Sequence, residues 1–270
     1  MRITDEIKQN VIMYYKSYPM TLASVSERFN ISIPTIIKIL NEENVDRYKK
    51  AIIYNPELQE DFFENIDSEY KSYFLGLILT DGNVYYPHDG RQKSISISQN
   101  TEDAYILQLF LSLVHSNNSI SNDGRGCSSV AVRSNKMADD LMKFGIVPNK
   151  SLTSYLPILH DSLMPHLIRG ILDGDGNIKA HQTNVNNRYA HAISFCGTYA
   201  LMNNIAYYLS QKLNIKMPSV YTYSDKLLSE VKWQSKDDMF IIGEWMYGDA
   251  HVFLKRKYEK YLAFKNHYFC

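Results

Sequence analysis

The sequence of 270 residues lacks several features that mark well-defined protein classes. It has no net charge, since 29 basic side chains balance 29 acidic ones, so the chain as a whole exerts no attraction on nucleic acid or anionic membranes. It has no uninterrupted run of about 18 apolar residues, which a membrane-spanning helix needs. Its three cysteines have no metal-ligand spacing, and its acidic N-terminus is unlike a secretory signal, so we expect an intracellular, cytoplasmic protein.

Glycine is also scarce, but it is concentrated in two short segments. Five of the 12 glycines are Gly76, Gly82, Gly170, Gly174 and Gly176. Because glycine has no Cβ, it permits close approach of two backbones and backbone angles that other residues avoid. The sequence therefore predicts two places where backbones meet closely or where φ is positive.

The first 45 residues follow a pattern of three short helices. Apolar periodicity predicts helices over residues 4–17, 21–29 and 34–43. A short helix, a tight turn and a second short helix are typical of the helix-turn-helix motif. In that arrangement the last helix would present Ser32, Thr35 and Lys38 to the major groove of DNA. A small helical domain without DNA contact is the alternative.

Residues 46–66 have the composition of a linker with an amphipathic tail. The run from Glu57 to Glu69 holds six acids and no base, which predicts a solvated helix face. Without this run the chain would carry a net charge of +6, so its neutrality averages an acidic connector and a modestly basic remainder. This weak charge predicts that non-specific binding to DNA is feeble and is lost at moderate salt.

From about residue 67 onward the sequence repeats itself. Residues 73–84 and 167–178 share a pattern at a constant offset of 94 residues, so that Asp81 aligns with Asp175. Both segments predict an apolar helix ending in Asp-Gly-Asn, and both precede alternating segments typical of half-exposed strands, 93–99 and 190–196. Further helices are predicted at 102–114, 136–144, 199–213, 239–247 and 249–265, and further strands at 128–133, 220–223 and 231–234.

The repeated segment predicts a site with two carboxylates. A glycine inside a helix costs about 1 kcal/mol relative to alanine, which is reasonable where two helices pack backbone against backbone. If the two apolar helices pair in this way, Asp81 and Asp175 lie near each other and repel unless a divalent cation is shared. Carboxylates without a histidine or cysteine cluster suit Mg²⁺, and paired metals of this kind hydrolyse phosphodiesters. For one copy alone, a buried helix with a glycine cap would be the better interpretation.

The two segments resemble the LAGLIDADG motifs of homing endonucleases in their single-chain, two-repeat form. Residues 69–76 resemble the lead into the first motif, and residues 145–151 and 245–259 resemble the ends of the two repeats. The resemblance implies an α+β fold of two pseudo-symmetric αββαββα repeats that form a DNA-binding saddle, preceded by the small all-α helix-turn-helix domain. The first motif departs from the family pattern, because Leu79 stands where the second has Asp173.

The resemblance also implies which residues act at the site. Asp81 and Asp175 would bind the divalent cation, Mg²⁺ or Mn²⁺, together with the backbone carbonyls of Thr80 and Gly174. The further catalytic residues implied are Gln99, Lys236 and Lys136. The second repeat has Cys196-Gly197 where the first has the amide of Gln99, so the two DNA strands are expected to be cut at unequal rates.

Candidate DNA-binding residues follow from the alternation of the strands and from nearby bases. These are Arg91, Lys93, Ser94, Ser96, Ser98, Arg133, Arg188, Lys226 and Lys232. The expected partner is double-stranded DNA with a long, partly asymmetric target site. The expected state is a monomer with internal pseudo-twofold symmetry that does not bind membranes.

These observations predict three segments and one principal function. Residues 1–55 would form the helix-turn-helix domain and linker, 56–157 the first repeat and 158–270 the second. The predicted function is that of a site-specific, metal-dependent double-strand DNA endonuclease of the homing type. The alternatives are a non-cleaving DNA-binding transcriptional regulator on the same core and an intron RNA-splicing cofactor.

Overall fold

The computed structural model describes residues 3–17, 22–45, 57–87, 92–150, 153–183, 188–224 and 228–269. The chain divides into two compact units. The smaller unit comprises residues 1–56 and 87–92, and the larger unit comprises residues 57–86 and 93–270.

The smaller unit contains three helices that share one apolar core. They are α1 (Asp5–Ser17), α2 (Leu22–Phe29) and α3 (Ile33–Glu42), so the predicted helices are confirmed to within one residue at each end. Asn30 adopts a positive φ of 51° between α2 and α3, and Ile31 beside it is buried. The turn therefore anchors one side chain in the core while it redirects the chain into α3.

The larger unit contains two repeats with the same order of elements, which confirms the predicted αββαββα pattern. The first repeat consists of α4 (Glu69–Asp81), β1 (Gly82–Tyr85), β2 (Ser94–Asn100), α5 (Ala104–Leu113), β3 (Ser121–Asn122), β4 (Cys127–Arg133) and α6 (Asn135–Met142). The second consists of α7 (Met164–Asp175), β5 (Gly176–Gln182), β6 (Tyr189–Gly197), α8 (Tyr199–Leu213), β7 (Tyr221–Thr222), β8 (Ser229–Trp233) and α9 (Lys236–Tyr247). A last helix, α10 (Lys255–Phe269), follows the second repeat.

Each repeat contains one four-stranded antiparallel sheet of the same topology. Sheet 1 has the order β1-β2-β4-β3, and sheet 2 has the order β5-β6-β8-β7. Alternate residues of the central strands, such as Ile95 and Ile97 on β2, are fully buried against the helices. The residues between them form the opposite, more exposed face of sheet 1, as expected for a half-buried sheet.

The two repeats meet where α4 packs against α7. A Cβ added to Gly76 would collide with the carbonyl oxygen of Leu167, and a Cβ added to Gly170 would collide with that of Tyr73. These contacts are related by the same offset of 94 residues, so the interface has pseudo-twofold symmetry. The predicted close approach of the two backbones is confirmed, and it occurs at the glycines that the repeat aligns.

Buried polar side chains also bind this interface to the end of α9 and to the segment that follows it. The guanidinium of Arg169 on α7 is fully buried, pairs with Glu69 at 2.6 Å and donates to the carbonyl oxygens of Met246 and Val252. Because Arg169 lies on one motif helix and Glu69 begins the other, this ion pair joins the repeats directly. A buried charge of this kind is tolerated only with such complete hydrogen bonding.

Asp173, at the position where the first motif has Leu79, is also fully buried. Its Oδ2 accepts hydrogen bonds from the Tyr73 hydroxyl at 2.9 Å and from the Leu254 N–H at 2.8 Å, while its Oδ1 has no partner within the described chain. Burial raises the pKa of Asp173 to about 6, and the Lys257 cation opposes part of that rise.

Three predictions about local structure are wrong, and two of them concern where helices begin and end. Each motif helix ends at its aspartate, and the following glycine begins a strand. A larger residue would not fit there, because a Cβ at Gly82 would lie 2.6 Å from the carbonyl oxygen of Ile78. The last helix begins at Lys255 instead of residue 249, because the N–H groups of His251 and Val252 bind Glu69. In addition, the strands β1, β3 and β5 have no counterpart among the predicted strands.

The third error concerns the acidic segment before α4. Its described part, residues 57–68, consists of turns and is not a helix. Phe62 and Phe63 are buried in the core of the larger unit, where Phe63 stacks on Phe110. The sequence reasoning overlooked these two buried rings because six acidic residues dominate the composition of the segment.

Within the described ranges, no helix is both long and apolar enough to cross a membrane.

The glycine contact predicts that Gly170→Ala destabilises the larger unit although alanine favours helix formation. The new Cβ would overlap the backbone of α4, and overpacking of this kind typically costs about 1–3 kcal/mol. Chemical denaturation measures the change, with Asn204→Ala on the exposed side of α8 as the control. An unchanged or increased stability of Gly170→Ala would contradict the close packing.

The buried carboxyl predicts a pH-dependent effect of Asp173→Asn. A raised pKa means that the wild type is most stable below the usual value of 3.8 and loses stability as the pH rises through about 6. Asparagine keeps an acceptor for Tyr73 and Leu254 but carries no charge, so its stability relative to wild type should rise by about 1–3 kcal/mol between pH 4 and pH 7. Urea denaturation at several pH values measures this difference, and a pH-independent difference would exclude a buried charge.

Candidate active site at the helix interface

The pairing of α4 with α7 brings the two motif aspartates together. Asp81 and Asp175 are the last residues of their helices, and both helices end at the same edge of the interface. A Cβ built on Gly174 would overlap the Thr80 side chain and lie 3.4 Å from the carboxyl carbon of Asp81. The glycine at residue 174 therefore makes room for the Thr80 side chain beside Asp81.

The electrostatics of the two carboxyls show that they share one site. Burial raises the pKa of Asp81, the nearby Asp175 charge raises it further, and the hydrogen bond from Gln99 opposes both. Burial also raises the pKa of Asp175, which the Lys150 and Lys257 cations oppose. Asp81 is half-buried and Asp175 is exposed, and two neighbouring carboxyls that repel each other form a site that gains stability from added positive charge.

Gln99 contacts only one of the two aspartates. Its Nε2 donates a hydrogen bond of 2.6 Å to Asp81 Oδ2 from the end of β2. In the register of sheet 2, Gly197 occupies the equivalent position, because Gly82 pairs with Ile97 as Gly176 pairs with Phe195. No described residue donates a hydrogen bond to the Asp175 carboxylate. The predicted asymmetry between the two halves is thus present in the geometry.

The lysines at this site are Lys150 and Lys257, which the sequence reasoning missed. Lys150 is 6% exposed, and its Nζ donates to the carbonyl oxygens of Thr80 at 3.1 Å and Gly82 at 2.6 Å. Lys257 is 4% exposed, and its Nζ donates to the carbonyl oxygens of Gly174 at 3.3 Å and Gly176 at 2.7 Å, the equivalent positions of the second motif. Each lysine therefore neutralises the negative end of one motif helix.

Burial changes the acid–base properties of both lysines. It lowers the pKa of Lys257 to about 8, although the Asp173, Asp81 and Asp175 charges oppose this shift. It also lowers the pKa of Lys150, which the same two motif aspartates oppose. The two cations and two carboxyls therefore form one interacting group of charges.

The structure places the two predicted catalytic lysines elsewhere. Lys136 on α6 pairs with Glu64 at 2.8 Å and with Asp140 at 2.6 Å. Lys236 begins α9, and its Nζ lies 5.9 Å from the ring centre of Phe269. Neither of these lysines is among the charges that shift the pKa of Asp81 or Asp175, whereas Lys150 and Lys257 are.

The sequence held one signal for the two lysines beside the aspartates. Lys150 lies in segment 145–151 and Lys257 in segment 245–259, which resemble the ends of the two repeats. Their spacings from the motif aspartates differ, at 69 and 82 residues, so no common spacing relates the two lysines. Only the fold shows that they occupy equivalent places.

The site lacks a complete set of protein ligands for a metal. Within the described part of the chain, no group of three or more His, Cys, Asp or Glu side chains could hold an ion. The carbonyl oxygens of Thr80 and Gly174, predicted as metal ligands, accept hydrogen bonds from Lys150 and Lys257. The free oxygen donors at the site are therefore chiefly the two carboxylates.

The predicted DNA-binding residues differ in their availability. Arg133, Arg188, Lys232 and Ser98 are exposed, and Ser94 and Ser96 are half-buried on the same face of β2 as Ser98. Lys93 is engaged in an ion pair with Asp139 and lies over the Tyr86 ring. Arg91 and Lys226 lie outside the described residues. In the smaller unit, Ser32 bonds Thr35 at 2.8 Å, and Lys38 on α3 is exposed.

Comparison with known proteins places this geometry in a known fold. No protein-family model and no curated protein matches the chain. A single-site mutant of I-SmaMI is 11% identical, with a TM-score of 0.54 over 74% of this chain and 90% of that one. The LAGLIDADG meganuclease I-AabMI, bound to uncleaved DNA, is 11% identical, with a TM-score of 0.52 over 74% of this chain and 90% of that one.

A further solved structure agrees with these two. The LAGLIDADG homing endonuclease I-SmaMI bound to cleaved DNA is 11% identical, with a TM-score of 0.51 over 75% of this chain and 89% of that one. The pairing of two motif helices and the two equivalent sheets of this chain match that architecture. Over most of its length, the chain therefore has the fold of the single-chain LAGLIDADG homing endonucleases.

Proposed function

We propose that this chain is a site-specific, metal-dependent DNA endonuclease of the homing type that cuts both strands of its target. The observation that carries the proposal is the pair of repelling carboxyls, Asp81 and Asp175, at the junction of two equivalent sheets. Two proteins with a similar fold, I-AabMI and I-SmaMI, have been solved on uncleaved and on cleaved DNA, respectively. We assign residues 1–55 to a helix-turn-helix domain, 56–157 to the first repeat and 158–270 to the second.

The residues present fit a hard divalent cation. Mg²⁺ is usually held by one or two carboxylates, with substrate phosphates and waters completing its shell, so a site without a third acidic ligand is suitable. The raised pKa values of Asp81 and Asp175 support the same conclusion, because a cation between them would relieve both burial and repulsion. One fold neighbour has been solved with calcium ions and uncleaved DNA. Mg²⁺ or Mn²⁺ would activate water and stabilise the leaving oxygen.

The chain's own residues prepare the site for a scissile phosphate. Gln99 fixes the orientation of the Asp81 carboxylate through their 2.6 Å hydrogen bond. Lys150 and Lys257 place two buried cations beside the carboxyls, where they stabilise negative charge that develops on a phosphate. Because these lysines are held by backbone carbonyls, their positions are set before DNA binds.

The sheets and the smaller unit supply the DNA contacts in this proposal. The exposed residues Arg133, Arg188 and Lys232 would contact bases or phosphates, and Ser96 and Ser98 would lie on the surface that faces DNA. On α3, Ser32, Thr35 and Lys38 would extend the recognised site in the manner of a helix-turn-helix. A monomer whose two repeats are unequal suits a long and partly asymmetric DNA target.

The paired carboxyls predict that the double variant Asp81→Asn, Asp175→Asn binds DNA but does not cut it. The asparagines preserve shape and remove the charges that would hold Mg²⁺, so the cleavage rate should fall at least about 100-fold. Target duplexes are first selected from a random library by the wild-type protein, and cleavage is then measured with Mg²⁺ or EDTA. Asp237→Asn, on the exposed side of α9, is the control and should cut normally.

The same experiment separates the alternative functions. Selective duplex binding by the wild type without Mg²⁺-dependent cleavage would contradict the nuclease and favour a transcriptional regulator. Binding to structured intron RNA in the absence of duplex binding would favour an RNA-splicing cofactor.

The buried lysines predict different effects for Lys257→Met and Lys236→Met. Loss of the Lys257 cation should slow cleavage about 100-fold while duplex binding is retained, because the charge acts on the transition state. Lys236→Met should cleave normally, since Lys236 lies by Phe269. A thermal melt checks that Lys257→Met is folded. The wild-type rate should also lose this lysine's contribution as the pH rises above about 8. If Lys236→Met slows cleavage and Lys257→Met does not, the catalytic role predicted for Lys236 from the sequence would be supported instead.

A further inference from the structure

The registers of the two sheets allow their exposed faces to be compared residue by residue. In sheet 1, Asn83 on β1 pairs with Ser96 on β2, which pairs with Ala131 on β4. We call these three residues row 1. Each register starts from the glycine that follows a motif aspartate, so a row has a fixed place relative to the site.

Sheet 2 contains the equivalent row one repeat later. Asn177 on β5 pairs with Ser194 on β6, which pairs with Lys232 on β8, and we call these residues row 2. The first two positions of both rows are asparagine and serine. The third differs sharply, since row 1 has a methyl group and row 2 has a flexible cation.

The Lys232 ammonium is available for an external ligand. Its residue is exposed, while its neighbours Val231 and Trp233 are buried, so its side chain lies on the face opposite the core. No described acidic residue forms an ion pair with it. The nearest row member, Ser194, is 5% exposed and neutral. A cation with no acidic partner among the described residues, on a sheet face, is suited to an acceptor on a base edge or a phosphate.

Ala131, the equivalent residue of row 1, lies beside a surface that has no charged side chain. Its carbonyl oxygen accepts a hydrogen bond from Asn118 Nδ2 at 2.5 Å, and the surface beside it forms an open concavity of about 380 Å³. Short serine side chains such as Ser96 and Ser98 line most of this concavity, with Asn118 beside Ala131. It contains no charged side chain, and its short hydroxyls leave room for water between the sheet and a bound duplex.

We propose that Lys232 selects guanine in one half of the target, and that Ala131 leaves the mirror-related base pair of the other half without that selection. Guanine presents the N7 and O6 acceptors to the major groove, which lysine recognises. The inference rests on the proposed function, because it requires that the exposed sheet faces contact duplex DNA. It goes further by assigning one base preference to one residue and its absence to the equivalent residue.

The test compares the duplex sequences bound by full-length variants in metal-free buffer. Random duplexes are selected with wild type, with Lys232→Ala, with Ala131→Lys and with the combined swap. Wild type should prefer guanine by about tenfold at one position and not at its mirror. Lys232→Ala should lose that preference, Ala131→Lys should gain it at the mirror position, and the swap should move it from one half to the other.

A matched control excludes a general effect of charge. Lys212 lies on α8, which packs against the buried face of sheet 2, and it pairs with Asp161 at 2.8 Å. Lys212→Ala should therefore leave the selected sequence unchanged. If Ala131→Lys fails to fold in a thermal melt, Lys232→Ala still decides the question, because an exposed lysine can be removed without disturbing the core.

Failure of the inference is distinguishable from failure of the proposed function. If the wild type enriches no duplex sequence, the proposed function itself is contradicted. If it enriches a target and Lys232→Ala keeps the same guanine, the inference is overturned. A uniform loss of affinity across sequences, with a salt dependence lower by about one charge, would show that Lys232 contacts a phosphate and would also overturn it.

Discussion

The contact between the backbones of α4 and α7 is the constraint on which the larger unit depends. Because Gly76 and Gly170 have no side chains, the helices approach closely enough for each to meet a carbonyl oxygen of the other. Their ends, and the carboxyls of Asp81 and Asp175, are thereby brought to one edge. The sheets that follow each helix then inherit the same pseudo-twofold relation, so one backbone contact positions both the site and the two exposed faces.

This constraint forces several charges into the interior, and each is compensated locally. Arg169 is fully buried but satisfied by Glu69 and by backbone carbonyls. Lys150 and Lys257 lose hydration, and they gain the negative ends of the two motif helices and the neighbouring carboxyls in return. The exception is Asp173, whose Oδ1 has no described partner. The interface is therefore held by directed hydrogen bonds as well as by apolar packing, and its balance depends on protonation.

Local patterns were sufficient to predict the repeated elements, the glycine contact and the aspartate pair, because periodicity and a constant offset of 94 residues are visible along the chain. They were insufficient for Lys150 and Lys257, which lie at different distances along the chain from the motif aspartates and come to equivalent places only in the fold. The acidic segment was misread because charge dominates its composition, while two buried phenylalanines determine its position. The last helix began late because Glu69, far away in sequence, binds the preceding N–H groups.

The covalent joining of the two repeats has a consequence for how such a protein can change. In an assembly of two identical chains, every substitution would appear twice, and any adaptation of one half would be imposed on the other. Here the two repeats differ at equivalent positions: Gln99 corresponds to Gly197, Leu79 to Asp173 and Ala131 to Lys232. Each half can therefore be altered alone, and a single codon change can reshape one side of the molecule while the common interface stays intact.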